Sequence, residues 1–333
     1  MSDRLRAVII GCGQIAGGYD ENSPDDCVLT HAKAYRQHPN TELTAVCDTD
    51  LVKAEWFARR WGAHDAYDDV RTLLSAVRPD IVSICTPDAT HADILDACLS
   101  VSPRAVWCEK PVTNDANDGR RLVAEYERRG IPLAVNYSRR WDRCVQRLTQ
   151  DLRCSPSATT RGVVFYGKGL RHNGSHALDL LLHWFGPVRE FDVAGQTIDY
   201  SADDPSVSGR LRFESGPEID LIAWDESLFT IWEIDLLTAN ARYKLVEAGL
   251  KLQRYAVRQD PVFAGYTELE PEPEQWTTDL HQLASRALAN IVNAVVHNEP
   301  LLSSGRTALA VLTLCNEIIN SSERWENKAQ CPN

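Results

Sequence analysis

Apolar and polar positions change their rhythm once along this chain. Up to about residue 138, short continuous apolar runs alternate with amphipathic stretches. RAVIIGCG, ELTAVCD, DIVSICTPD, RAVWCEKP and IPLAVNY are the apolar runs. LVKAEWFARRWG, THADILDACLS and NDANDGRRLVAEYERRG are helical in period, and the first and last of these end in glycine. Continuous apolar strands separated by helices predict a parallel sheet covered on both faces. Beyond residue 138 the strands alternate apolar and polar positions: VSGRLRFES, EIDLIAW, TIWEIDLLT, ARYKLVE and LKLQRYAV. That period predicts an antiparallel sheet with one face more solvated. One helix, SHALDLLLHWFG, precedes these strands, and two follow them, DLHQLASRALANIVNAVVHN and GRTALAVLTLCNEIINSSERW. ELEPEPEQW (268–276) reads as a proline-broken acidic loop. The expected division is therefore 1–138, a doubly wound nucleotide-binding domain, and 139–333, an α+β domain with a large open sheet.

Composition narrows the classes of function. The 333 residues carry a formal net charge of −12, with no Lys/Arg run beyond short pairs such as Arg128-Arg129 and Arg139-Arg140. This argues against nucleic acid as a partner. No apolar stretch reaches the ~20 residues that span a bilayer, and the N-terminus enters a strand pattern directly, so a cytoplasmic location is expected. Ten cysteines are present. They are irregularly spaced, and Cys12, Cys47, Cys85 and Cys98 lie in apolar runs, where they read as small buried hydrophobes. No metal site is expected.

The candidate chemistry begins at VIIGCGQIAGG. Gly11, Gly13 and Ala16 follow the first strand in the dinucleotide-binding pattern, with Gln14 and Ile15 between them. Gly11 allows the tight turn, Gly13 a close approach of backbone to pyrophosphate, and Ala16 close packing of helix on strand. Asp48 ends the second strand, where an acid bonds the adenosine ribose and disfavours a 2′-phosphate. This points to NAD, with NADP as the alternative. Asp48 can equally cap the next helix, a place Asp50 can also fill. Asp48 lies later than the usual spacing of about 20 residues, because GGYDENSPDDCVLT (17–30) is inserted. This stretch interrupts or delays the first helix, as a lid or as a solvated loop. Ligands bind at the carboxyl ends of such strands. Thr86, Pro87 and His91 of CTPDATH, Glu109 and Lys110 of WCEKP, and Asn136 lie there. Pro111 biases Lys110 toward extended backbone. Lys110 there is either a proton-transfer group or half of a structural ion pair. In GKGLRHNGSHALDLLLHWFG, Asn173 or Ser175 can cap a helix on which His176 and Asp179 are three apart. Asp179 can fix the tautomer of His176, or the two can form a structural pair. His172 precedes that helix.

In this order and spacing the glycine turn, AVCD, CTPDATH, EKP (109–111), NYSRRW (136–141) and Gly174-x-His176-x-x-Asp179 resemble the Gfo/Idh/MocA oxidoreductases. The resemblance covers nearly the whole chain. It implies a Rossmann domain followed by an α/β domain whose open sheet joins homodimers or homotetramers. It further implies hydride transfer between a nicotinamide and a sugar or polyol carbon. By that resemblance Lys110 is the catalytic lysine, often followed by a cis proline. His176 takes the place of the family's catalytic His or Tyr, and Asp179 matches the acid three residues on. The sequence departs from many relatives at His172, where they carry Asp; His172 then serves as proton relay or anion contact. KGLRHNGSH looks like members acting on surface sugars or deoxysugars, which brings in nucleotide-linked substrates. A glycosidase using bound NAD, and a non-catalytic nucleotide sensor, are the competing readings.

Overall fold

A computed structural model describes residues 4–154 and 159–329. They form two compact units, one built from residues up to 141 together with 280–310, the other from 142–279 and the residues from 311 on.

In the first unit six strands lie in the order β3-β2-β1-β4-β5-β6. They are β1 (Leu5–Ile10), β2 (Thr41–Cys47), β3 (Asp65–Tyr67), β4 (Ile81–Ile84), β5 (Ala105–Cys108) and β6 (Leu133–Val135). All pairs are parallel. The order reverses between β1 and β4, which opens a crevice at their carboxyl ends. β4, β5 and β6 are buried at every position, which is why their sequences are apolar without alternation. The crossovers are α1 (His31–Gln37), α2 (Leu51–Trp61), α3 (Val70–Val77), α4 (His91–Leu99) and α5 (Ala116–Arg128). Asp50, Asp69 and Asp115 cap α2, α3 and α5 through their carboxylates, satisfying amide donors that helix geometry leaves open. Late in the chain, α8 (Leu283–His297) joins this unit. Its Leu283, Ala287, Leu288, Ile291 and Val292 belong to the core cluster that holds Tyr35, Trp107 and Trp141.

The inserted stretch after the glycine turn interrupts the first helix, as its polarity predicts. The chain makes a turn after Gly13, loops out, and returns so that the His31 and Ala32 amides donate to the carbonyls of Ile15 and Ala16. Asp20, only 2% exposed, closes the loop. Its Oδ2 accepts from Leu29 N, Thr30 N and Thr30 Oγ1 at 2.7–2.8 Å. Lys33 Nζ donates to Ser23 Oγ and Pro24 O, Arg60 to Glu21 O, and Val28 N to His281 O. The segment is thus pinned at several points along its length. Asp20→Ala leaves buried amides without acceptors and should cost about 2–4 kcal/mol. A drop in urea midpoint at unchanged slope measures it.

The second unit contains α6 (Arg143–Arg153), β7 (Arg161–Tyr166), α7 (Ser175–Phe185), β8 (Val188–Ser201), β9 (Asp204–Phe213), β10 (Glu218–Ala223), β11 (Trp232–Leu237), β12 (Ala241–Val246), β13 (Lys251–Gln259), β14 (Thr267–Leu269) and β15 (Glu274–Thr277). The helix α9 (Gly305–Ala329) runs from the first unit's residues into the second's. The sheet has nine strands in the order β14-β13-β12-β11-β7-β10-β9-β8, with β15 also on β13. Its pairs are antiparallel except β7 with β10. β11 and β12 alternate buried and half-buried residues. Phe185 of α7 packs edge-on against Phe213, and Tyr243 reaches Asp151 of α6. Ion pairs such as Arg210–Asp220 and Arg242–Asp235 lie on this sheet, with exposed Ile222 and Leu237 beside them.

The expectation of a loop over 268–276 is corrected. β14 and β15 enter this stretch from either end, leaving the Pro271–Pro273 segment as the turn. Prolines lack the amide that a ladder needs. The pattern of breaks was therefore right for those residues and wrong for their flanks. Among the described residues, no helix is long and apolar enough to cross a membrane, and no group of His, Cys, Asp and Glu could hold a metal. Cys12, Cys47, Cys85 and Cys98 are buried and free.

Candidate functional site

A cavity of about 720 Å³ lies at the reversal of strand order, lined by Gly11, Gly13, Asp48, Lys53, Thr86 and Pro87 among others. Gly11 has φ +89°, and a Cβ there would sit 2.8 Å from the backbone of Cys85 and Thr86. Its amide donates to Cys47 O at 2.7 Å. So Gly11 is needed for both the left-handed turn and the close contact of β1 with β4. A Cβ on Gly13 would meet nothing within 4 Å. Backbone is thus left open there, as close approach of a ligand requires. Beyond the turn, Gln14 is exposed, Ile15 packs against the core, and Ala16 is fully buried in it.

Asp48 is held in place by its neighbours. Its Oδ2 accepts from Cys12 N at 2.9 Å and Lys53 Nζ at 2.7 Å, and its Oδ1 from Asp50 N at 3.2 Å. Asp50, not Asp48, is the cap of α2. Burial works against ionisation of Asp48, but the Lys53 hydrogen bond and the Cys12 and Asp50 amides outweigh it, so its carboxyl lies below its ordinary range. The Cys12 thiol is pushed up to about 12, first by burial and then by the Asp48 charge. It stays protonated and is not a nucleophile at neutral pH.

At the ends of β5 and β6 a second group of polar side chains converges. Glu109 Oε1 accepts from Asn136 Nδ2 at 2.7 Å and lies 2.9 Å from His31 Nε2. Glu109 N bonds Ile84 O, and Asn136 N bonds Cys108 O, which ties the three strand ends together. Lys110 follows, half-buried, and its peptide bond to Pro111 is cis. His91 is 1% exposed and does not line the cavity. It sits behind, with Nδ1 2.7 Å from Pro111 O and Nε2 3.1 Å from Thr86 O. It joins the Thr86 loop to the Lys110 loop.

The second unit carries His172, His176 and Asp179. His176 is half-buried near the start of α7, and Asp179 is 1% exposed one turn on. Neither Asn173 nor Ser175 caps α7. Asn173 Nδ2 donates to Gly167 O, and Ser175 Oγ to Arg171 O. The helix instead grows out of a wide turn, Leu170–Gly174, so its first amides already have carbonyl partners and a capping side chain is not needed. Asp204 braces that turn by accepting from Arg171 N and His172 N at 2.7 and 2.9 Å. His172 stacks on Tyr200 with ring centroids 4.4 Å apart.

Residues that the sequence did not single out complete both clusters. Lys53, Asp68, Thr90 and Ile94 line the cavity. His31, Ser83 and Tyr35 stand behind Glu109. Only Lys53 had a signal, one helical turn past Asp48.

Comparison with known proteins agrees with this geometry. Residues 5–137 match a family model described as an oxidoreductase family with an NAD-binding Rossmann fold, Gfo/Idh/MocA. Over 151 residues the chain is 31% identical to D-glucoside 3-dehydrogenase of Escherichia coli, covering 45% of this chain and 40% of that one. It is 26% identical over 253 residues to inositol 2-dehydrogenase of Rubrobacter xylanophilus, covering 75% and 66%. The matches thus span less than two thirds of these relatives' own lengths. The fold as a whole resembles the WlbA dehydrogenase of Bordetella pertussis, solved with NADH and UDP-GlcNAcA, at TM-score 0.74 and 17% identity over 96% of this chain and 97% of that one. Through residues 5–137, its dinucleotide-binding part, the chain is similar to the Gfo/Idh/MocA oxidoreductases, the family whose model those residues match.

Proposed function

We propose that the protein is an NAD(P)-dependent oxidoreductase that moves a hydride between a nicotinamide and a carbon of a sugar or sugar derivative. The observation that carries this reading is the placement of Lys110. It stands at the carboxyl end of β5, beside a carboxylate fixed by two partners and on the same sheet as a glycine-turn cavity of dinucleotide size. The cavity's open Gly13 and braced Asp48 suit the pyrophosphate and adenosine ribose of such a cofactor. Bound there, a nicotinamide supplies the hydride acceptor or donor. Lys110 Nζ holds the proton of the reacting hydroxyl, taking it as the alcohol is oxidised or returning it in reverse. His176 serves as the second acid–base group, Asp179 orients it, and His172 assists. Glucosides and inositols are the substrate classes nearest in the relatives. Nucleotide-linked sugars extend that range. Self-association is assigned to the open sheet of the second unit.

The ionised Asp48 favours NAD over NADP, since a 2′-phosphate would meet its charge. Titration with NADH and separately NADPH, read by quenching of tryptophan fluorescence, tests this. Tight NADH and weak NADPH binding are expected; binding of neither sinks the reading. The pH dependence has a definite sign. A carboxyl held below its ordinary value stays charged as pH falls through that ordinary value, and its contribution is lost only lower, through the folded value. Lys53→Met removes the strongest brace. It should raise the pH at which the NADH preference fades.

A further inference from the structure

His31 is fully buried, yet it is aimed at the one carboxylate next to Lys110. Its ring stacks on Trp107 with centroids 3.6 Å apart, which fixes the imidazole plane. A chain of hydrogen-bonding groups leads to it. Burial raises the Tyr35 hydroxyl well above its ordinary range, so it stays protonated, and it shares a hydrogen bond with Ser83 Oγ at 2.8 Å. Ser83 in turn faces His31 Nδ1 at 2.9 Å. A carboxylate oxygen can only accept, so at 2.9 Å His31 Nε2 carries a proton and donates it to Glu109 Oε1, with Nδ1 held against Ser83 Oγ. Asn136 donates to that same oxygen at 2.7 Å. Glu109 Oε2 takes no hydrogen bond among the described residues, and its side chain is 15% exposed. One oxygen is therefore locked by the protein, and the other is left for a donor from outside.

We propose that His31 is a positioning residue for the nicotinamide end of the cofactor: it locks Glu109 Oε1 so that Oε2 receives a hydrogen bond from the nicotinamide half. The inference rests on the functional reading above. The loop of residues 18–30 is part of the device. His31 is the first residue of α1, and the Asp20 anchor, which bonds Leu29 and Thr30, delivers it to its place. Without His31 the carboxylate keeps a single partner, Asn136, and can rotate.

The test compares two ligands that share the adenosine and pyrophosphate but differ in the whole nicotinamide half, its ribose included: NADH and ADP. Titration of His31→Leu should show NADH affinity reduced ~10-fold or more, as loss of a hydrogen bond to a charged group implies. ADP affinity should change less than ~2-fold, because its contacts lie elsewhere. His31→Gln, whose amide can donate to Glu109, should restore most of the NADH affinity. Equal losses for both ligands, or no loss for NADH, would overturn the inference. If His31→Leu does not fold, Ser83→Ala serves in its place. It removes the hydroxyl that holds Nδ1 in place but keeps the ring, and the same selective loss of NADH, smaller in size, is expected. An equal loss there counts against the proposal in the same way. Failure of the unmodified protein to bind NADH would instead overturn the functional reading itself.

Discussion

Lys110→Ala should lower turnover by ~10²- to 10⁴-fold, the usual worth of one positioned proton-transfer group, while NADH affinity stays nearly unchanged. The argument is local. Around Lys110 the backbone is held by strand-end hydrogen bonds from Glu109 N to Ile84 O and Asn136 N to Cys108 O, none of which involves the lysine side chain. Shortening it therefore leaves the strand ends in register. Lys110→Arg sharpens the test. A guanidinium keeps the positive charge but does not release its proton in proteins. If Lys110 acted by charge alone, arginine would preserve activity; as a proton carrier, it should not. Steady-state rates on a panel of glucosides, inositols and UDP-linked hexosamines, beside NADH titrations, provide the measurement. Near-normal rates in the alanine variant would remove Lys110 from the chemistry.

The second large effect separates two glycines two residues apart. Gly11→Ala forces a left-handed backbone on an L-residue and drives Cβ to 2.8 Å from the β4 end. The left-handed conformation alone costs about 1–2 kcal/mol, and the clash adds to it because the neighbour is backbone. This variant should melt early or fail to accumulate. At Gly13 an added Cβ would meet no protein atom within 4 Å, so Gly13→Val should be accommodated by the fold. Its melting temperature should stay within about 3 °C of the parent, yet NADH binding should fall by roughly 100-fold as the side chain fills the space reserved for pyrophosphate. Differential scanning fluorimetry with NADH titration reads both. A Gly13→Val protein that binds NADH normally would show that the cavity is not the cofactor's.

Much of the first unit was legible because its signals are local. A parallel strand buried on both faces writes an uninterrupted apolar run, and the residue just past it is at a binding edge whatever the rest of the chain does. That rule puts Asp48, Glu109, Lys110 and Asn136 at strand ends, which is where the structure has them. His31 escaped it, since its position depends on a loop closing back on Asp20 and no periodicity records such a closure. His91 has the opposite history. It stands beside the correct motif, but its helix turns it into the core, where it joins two loops. In the second unit β8 is 14 residues long and passed unnoticed. Its pairing shifts register at three places, and each shift breaks the two-residue period by which strands are recognised. β14 and β15 were hidden by the prolines between them. For α8, the helical period was plain, but an apolar face does not say which sheet it covers.

That last point bears on how the protein is made. The core around Trp107 and Tyr35 is completed by Leu288, Ile291 and Val292. Residues 142–279 leave the ribosome before these do. At ordinary translation rates the nascent nucleotide-binding half waits roughly 10–30 s with an apolar face uncovered. During that interval it is a client for a chaperone, and the second unit, which takes in the residues from 311 on, is completed later still.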